Sequence, residues 1–248
     1  GITWVQVPFS GVETYMPYID ETRTWTSAKG VFGGAVAELA LGLLLAGMRH
    51  IAGYAREQQW SEDHGRTLFG ARVTILGAGG IAQSLISMLK PFNCHITVVR
   101  NREGDVPGAD VVLTTSRLHD ALRGADAVLM AIALTPHTHG IMGRAEFELM
   151  QSHAWIVNVG RGKQIVTDDL VWALETGEIG GAALDVTDPE PLPAGHPLWS
   201  LPNCIITPHV GNTAEMVPPL LAVRIAENVR RFAADEQLIG IVDQVIGY

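Results

Sequence analysis

The sequence predicts an α/β protein built on a doubly wound parallel sheet, and three observations carry that prediction. From Gly70 onward, short and nearly all-apolar segments alternate with segments of helical spacing. Strands of a parallel sheet read as apolar runs because helices cover both of its faces. The chain is 47% hydrophobic, with 27 glycines in 248 residues, which suits a large buried sheet. A glycine-rich loop, "GAGG", joins the first of these strands to the helix that follows it.

The elements follow in order. "ARVTILG" reads as a strand and "IAQSLISMLKPF" as a helix. "CHITVVR" and "DVVLTT" read as strands, "SRLHDALRGA" as a short helix and "DAVLMAIAL" as a strand. Then come "GRAEFELMQ" (helix), "AWIVNVG" (strand), "DDLVWALETG" (helix), "GAALDV" (strand) and "CIITPH" (strand). A polar-faced helix is expected over about residues 214–235. Before the alternation, "ITWVQVPF" reads as a strand, "SGVE" as a turn and "TRTWTSAKG" as a second extended piece; the tail "LIGIVDQVIGY" is also extended. These ends belong to a second domain. The expected division is 1–32 for one portion of it, 33–213 for the α/β unit, and 214–248 for the return helix and the C-terminal segment.

The formal net charge of −9 and the lack of a Lys/Arg-rich run argue against tight binding to nucleic acid or an anionic membrane. "VFGGAVAELALGLLLAGM" reaches the threshold length of a spanning helix, but Glu38 and its small residues point to a buried helix instead. No cleavable leader is read before it. Cys94 and Cys204 lie in apolar strand-like runs, need not pair and offer no metal-site spacing.

Gly77, Gly79 and Ala82 form G-x-G-x-x-A between a strand and a helix, the setting of a Rossmann dinucleotide site. Gly77 permits the tight turn, Gly79 lets a pyrophosphate approach the backbone, and Gly80 and Ile81 open the helix whose N–H groups face the phosphates. At the tip of the next strand, "VVRNRE" carries Arg100, Asn101 and Arg102 where an NAD-binding unit usually has an acid. Guanidinium groups cannot accept from a ribose hydroxyl but match a 2′-phosphate. NADP is therefore the expected cofactor and NAD the alternative.

Ligands of such sheets bind beyond the carboxyl ends of the strands. Those ends read "NVGRG", "ALDVTDPEPLP" and "ITPHVGN", and they present Arg161, then Asp185 and Glu190, then His209. A lone histidine after a strand carries little weight. Three tips in series, each able to handle protons or carboxylates, carry more.

These segments, with "GAGGIA" and "LTPHTHGIMG", resemble the D-isomer-specific 2-hydroxyacid dehydrogenase family, in its glyoxylate/hydroxypyruvate reductase-like form. The resemblance runs from "WVQVPFSGVE" to "VDQVIGY". It implies that Arg161 orients the substrate 2-oxo and carboxylate groups, that His209 is the general acid and that Glu190 is its acidic partner. It also implies that Asp185 holds the nicotinamide carboxamide, that Gly160, His209 and Gly211 border the cofactor, and that the turn Ser10–Gly11–Val12 receives the substrate carboxylate. His137 and His139 match variable positions and are expected at the surface. The implied protein is a cytoplasmic homodimer that reduces a small 2-oxoacid with NADPH or NADH. A cofactor-sensing, corepressor-like binding protein on the same fold is the alternative. Family members begin with a further stretch of the substrate domain that is absent before Gly1, so that domain is expected to be incomplete.

Overall fold

The computed structural model describes residues 1–12 and 14–243, so Glu13 of "SGVE" and the last five positions of the extended tail lie outside the described residues. The chain divides into two compact units, Gly1–Ala35 with Asn212–Tyr248, and Val36–Gly211.

In the first unit β1 (Trp4–Gln6) and β2 (Thr24–Thr26) pair in parallel, Trp4 opposite Thr24, and Ile241 bridges antiparallel to Thr26. Val7, Val12, Trp25 and Val242 form its small core. Asn228, fully buried on the helix Val217–Ala233, donates to Gln6 Oε1 and to the Ile239 carbonyl at 3.0 Å each. That buried amide ties helix, strand and C-terminal segment together, because an unpaired polar group there would be costly. The helix begins at Val217, later than expected, because Pro218 and Pro219 suit only a first turn.

A long helix, α1 (Gly33–Met48), belongs to the second unit from Val36 onward and precedes the short α2 (Ile51–Tyr54). The strands are β3 (Arg72–Leu76), β4 (His95–Arg100), β5 (Val111–Thr114), β6 (Ala127–Met130), β7 (Trp155–Asn158), β8 (Gly181–Leu184) and β9 (Cys204–Ile206). All are parallel, in the spatial order β5-β4-β3-β6-β7-β8-β9. This is the doubly wound order expected: the chain winds outward one way from β3, then crosses back and winds the other way from β6. The helices α3 (Gly80–Leu89), α4 (Leu118–Leu122), α5 (Arg144–Phe147) and α6 (Thr167–Glu175) connect strands, and α7 is the helix Val217–Ala233. On α3 the buried positions Ala82, Leu85, Ile86 and Leu89 keep the spacing of a helix with one face on the sheet.

Several elements are shorter than the sequence suggests, among them β1, β2, α4 and β9, and two others show why. The "DAVLMAIAL" strand ends at Met130 because its neighbours end with it: Met130 pairs with Leu76 and with Asn158, the last residues of β3 and β7. After Phe147 the "GRAEFELMQ" helix tightens into three-residue turns, with Leu149 N–H donating to the Glu146 carbonyl and Met150 N–H to that of Phe147. The ring of Trp155 fills the space over Gly47 of α1 and Gly181 of β8, where any Cβ would strike it. α1 therefore lies close to the sheet, with Ala37, Ala40, Leu43, Leu44 and Met48 buried. No helix among the described residues is long and apolar enough to cross a membrane.

Candidate active site

The glycine loop leaves β3 where the winding direction reverses. Gly77 has φ +111, and a Cβ on it would strike the Ala131 carbonyl, so only glycine can make this turn against β6. At Gly79 and Gly80 the backbone is exposed, and open space lies where a Gly79 Cβ would be. Gly79 caps α3 with no side-chain hydrogen bond, so the first N–H groups of this ten-residue helix remain available to an anion. The cradle fits a pyrophosphate. At the tip of β4 Arg100 is half-buried, Asn101 and Arg102 are exposed, and neither arginine has an ion-pair partner among the described residues. In particular, Glu103 does not neutralise them.

The tips of β7, β8 and β9 carry a second network. Two buried amides hold the loop after β7. Asn158 accepts from the Gly160 N–H at 2.9 Å and donates to the Arg161 carbonyl at 3.0 Å. Gln164 accepts from the Arg161 N–H at 2.9 Å and donates to the Ile132 carbonyl at 2.7 Å. The Arg161 guanidinium donates to the Gly160 carbonyl at 2.8 Å. The same loop lies against the one after β8, since a Cβ on Gly162 would strike the Thr187 carbonyl.

Asp185, 3% exposed, organises the loop after β9. Its Oδ1 accepts from the Thr207 hydroxyl at 2.6 Å and the Val210 N–H at 2.9 Å, and its Oδ2 accepts from the Gly211 N–H at 2.9 Å. The Asp185 carbonyl accepts from the His209 N–H at 2.9 Å. A carboxylate has about four acceptor positions, so one remains for a ligand amide. His209 sits in this loop with φ +54, in the left-handed region that few non-glycine residues adopt. Its Nδ1 is 2.6 Å from Glu190 Oε1, with the two side chains 48% and 42% exposed. Such an exposed pair contributes little to stability, so its consequence is orientation of the ring. Nε2 has no partner among the described residues.

The structure thus gathers Arg161, Asp185, Glu190 and His209 on three consecutive loops of one unit. Ser10, Gly11 and Val12 belong to the other unit, where the Ser10 hydroxyl donates to the Ala28 carbonyl at 3.1 Å and the Val12 side chain is buried in the small core. His137 and His139 are exposed. Asn158, Gln164 and Thr207 were not anticipated. A buried Asn ending an apolar strand was the one available signal. No cluster of three or more His, Cys, Asp or Glu side chains among the described residues could hold a metal ion.

The fold and these loops define a Rossmann-type dinucleotide-binding class, with a glycine cradle at the sheet's switch point and a histidine–carboxylate contact at the neighbouring strand tips. Residues 41–211 match the family described as D-isomer specific 2-hydroxyacid dehydrogenase, NAD binding domain, and the chain belongs to that family. It is 40% identical over 255 residues to an uncharacterized protein of the proB 3′ region of Corynebacterium melassecola, covering 100% of this chain and 84% of that one. It is 32% identical to the mouse glyoxylate reductase/hydroxypyruvate reductase, over 81% of this chain and 64% of the mouse enzyme. The chain therefore spans less than two thirds of that enzyme's length. Among solved structures, a D-isomer specific 2-hydroxyacid dehydrogenase from Xanthobacter autotrophicus Py2, in complex with NADPH and MES, superposes with a TM-score of 0.87 at 29% identity, covering 99% of this chain and 79% of that one.

Proposed function

We propose that the protein reduces a small 2-oxoacid to the D-2-hydroxyacid, with NADPH preferred over NADH. The observation that carries this reading is the 2.6 Å contact between His209 Nδ1 and Glu190. With Nδ1 held against a carboxylate, the ring is oriented through that nitrogen, and Nε2 is the one assigned to give a proton. When bound, the dinucleotide supplies a hydride. As the carbonyl carbon takes the hydride, the C=O π pair moves to oxygen, and His209 Nε2–H protonates that oxygen. Glu190 keeps the ring in place through Nδ1. Arg161 binds the substrate carboxylate and carbonyl through its planar fork, on a loop that Asn158 and Gln164 hold rigid. Asp185 offers its remaining acceptor position to the nicotinamide carboxamide.

NADPH follows from the unpaired Arg100 and Arg102 with Asn101 between them, and the Xanthobacter relative is an NADPH complex. Glyoxylate and hydroxypyruvate are the first substrates to try, because the mouse relative is named for both. A cytoplasmic homodimer completes the proposal, and the two free cysteines agree with a reducing compartment. A corepressor-like sensor would need the cradle but not the His209–Glu190 pair, so the pair favours the enzyme. The test is NADPH oxidation with glyoxylate and hydroxypyruvate. His209→Asn should lower kcat at least ~100-fold with little change in KM for NADPH. No turnover by the wild-type chain with either acid, or full kcat in the variant, would refute the assignment.

A further inference from the structure

The face of a covered parallel sheet is normally apolar. Here one face departs from that rule at the starts of two strands, beside a third that keeps it. Arg72 and Thr74 of β3, His95 and Thr97 of β4, and Val111 and Leu113 of β5 line a cleft of about 290 Å³, closed on the far side by α4 and the segments flanking it. The ladder explains the alignment, since Arg72 pairs with His95, Thr74 with Thr97 and Thr97 with Val111. The glycine loop and Arg100 lie at the opposite ends of the same strands, so the cleft is separate from the cofactor cradle.

The polar groups around the cleft can be accounted for one by one. Thr74 is satisfied internally, its hydroxyl donating to the Ala121 carbonyl at 2.7 Å. Arg117 is neutralised by Asp120 at 2.9 Å, and that carboxylate also takes Arg123 at 3.3 Å. His95 Nδ1 faces Asp110 at 3.6 Å. Arg72 alone has no ion-pair partner among the described residues; its backbone N–H donates to Asp126 Oδ2 and its carbonyl accepts from the Asp126 N–H, each at 2.8 Å. Its guanidinium lies over Gly124, where a Cβ would come within 2.7 Å of Nη1, so the absent side chain makes room for it. The Thr97 hydroxyl likewise has no partner among the described residues. What remains is one unbalanced planar cation and one free hydroxyl beside an apolar floor of Val111, Leu113, Ala121 and Ala125.

We propose that this cleft binds a small organic monocarboxylate with a compact apolar body. One uncompensated guanidinium matches one carboxylate in a bidentate pair, Thr97 supplies a further donor, and the floor covers the apolar part. A dianion fits less well, because among the described residues lining the cleft a second carboxylate would find only Arg117, which Asp120 already engages. The volume is at the lower end of ligand pockets, so a ligand of about ten heavy atoms fits, with a Kd of roughly a millimolar.

The site is independent of the catalytic reading and is tested without turnover. Sodium benzoate is titrated calorimetrically into the full chain at constant ionic strength, with benzamide as the neutral control. Binding is expected in the wild type and in Arg161→Gln. It should be at least tenfold weaker in Arg72→Gln and about threefold weaker in Thr97→Val, while benzamide gives no binding. Thr97→Val is close to isosteric and keeps the test sound if the Arg72 variant folds poorly. Absence of benzoate binding to the wild type, equal affinity in Arg72→Gln or Thr97→Val, or loss of binding in Arg161→Gln would overturn the proposal; the last would place the carboxylate at the catalytic arginine.

Discussion

Replacing Asp185 by Asn changes one atom and disturbs a whole loop. The carboxylate accepts from the Thr207 hydroxyl, the Val210 N–H and the Gly211 N–H. The replacement amide can turn its single oxygen to Thr207 and Val210, because both bonds end on Oδ1. Its NH₂ then faces the buried Gly211 N–H, donor against donor. One charge-assisted bond worth ~1.5–3 kcal/mol is lost, a buried donor is left unpaired, and the two remaining bonds lose their ionic character. A net cost of about 3 kcal/mol follows, or a fall in Tm of about 6–12 °C for a protein of this size. The same loop carries His209, whose N–H bonds to the Asp185 carbonyl, so the ring loses its fixed position. A displacement of about 1 Å reduces turnover by roughly 100-fold. Asp185→Asn should therefore lower both Tm and kcat, measured by thermal unfolding and by NADPH oxidation with glyoxylate. A variant with wild-type Tm that only raises KM for NADPH would refute this reasoning and make Asp185 a cofactor ligand alone.

Other perturbations separate the remaining roles. Glu190→Gln weakens the contact that orients the His209 ring through Nδ1, so kcat for reduction should fall roughly tenfold while the KM for NADPH holds; an unchanged kcat would uncouple the two residues. Arg100→Asp replaces a cation with a repelling anion at the tip of β4, and NADPH kcat/KM should fall about 10- to 100-fold while that for NADH holds or rises. Equal losses with both cofactors would remove the 2′-phosphate from the account. Burial pushes the Cys204 thiol up to about 12, so at pH 8 its thiolate is roughly one part in ten thousand. A disulfide reagent should therefore spare Cys204 in the native protein and modify it once denaturant is added, as followed by mass spectrometry; rapid native labelling would contradict its burial.

The strands were legible because a covered parallel sheet leaves its apolar requirement on every residue. The glycine loop was legible because φ +111 at Gly77 and the nearby Ala131 carbonyl admit no other residue. The order of polar residues at the strand tips could be read for the same reason, since strand ends are marked by Pro, Gly and Asn. The contacts among those residues could not. Glu190 and His209 are nineteen positions apart, and only the pairing of β8 with β9 brings their loops together. Asn158 and Gln164 act through backbone groups, which leave no trace in side-chain spacing, and Thr207 acts through the Asp185 carboxylate, which belongs to another strand end. Strand ends escaped too, as with β6, whose length is set by its neighbours β3 and β7 rather than by its own residues.

The left-handed backbone at His209 also governs which replacements can be interpreted. For most L-residues that conformation costs about 1–2 kcal/mol, less for Asn and Asp, and glycine accepts it freely. A saturation library at this position therefore sorts along two axes at once. Asn, Asp and Gly report on the missing imidazole with the loop near its native path. Val, Ile and Thr lose the imidazole and distort the loop together, so their inactivity says nothing about proton transfer.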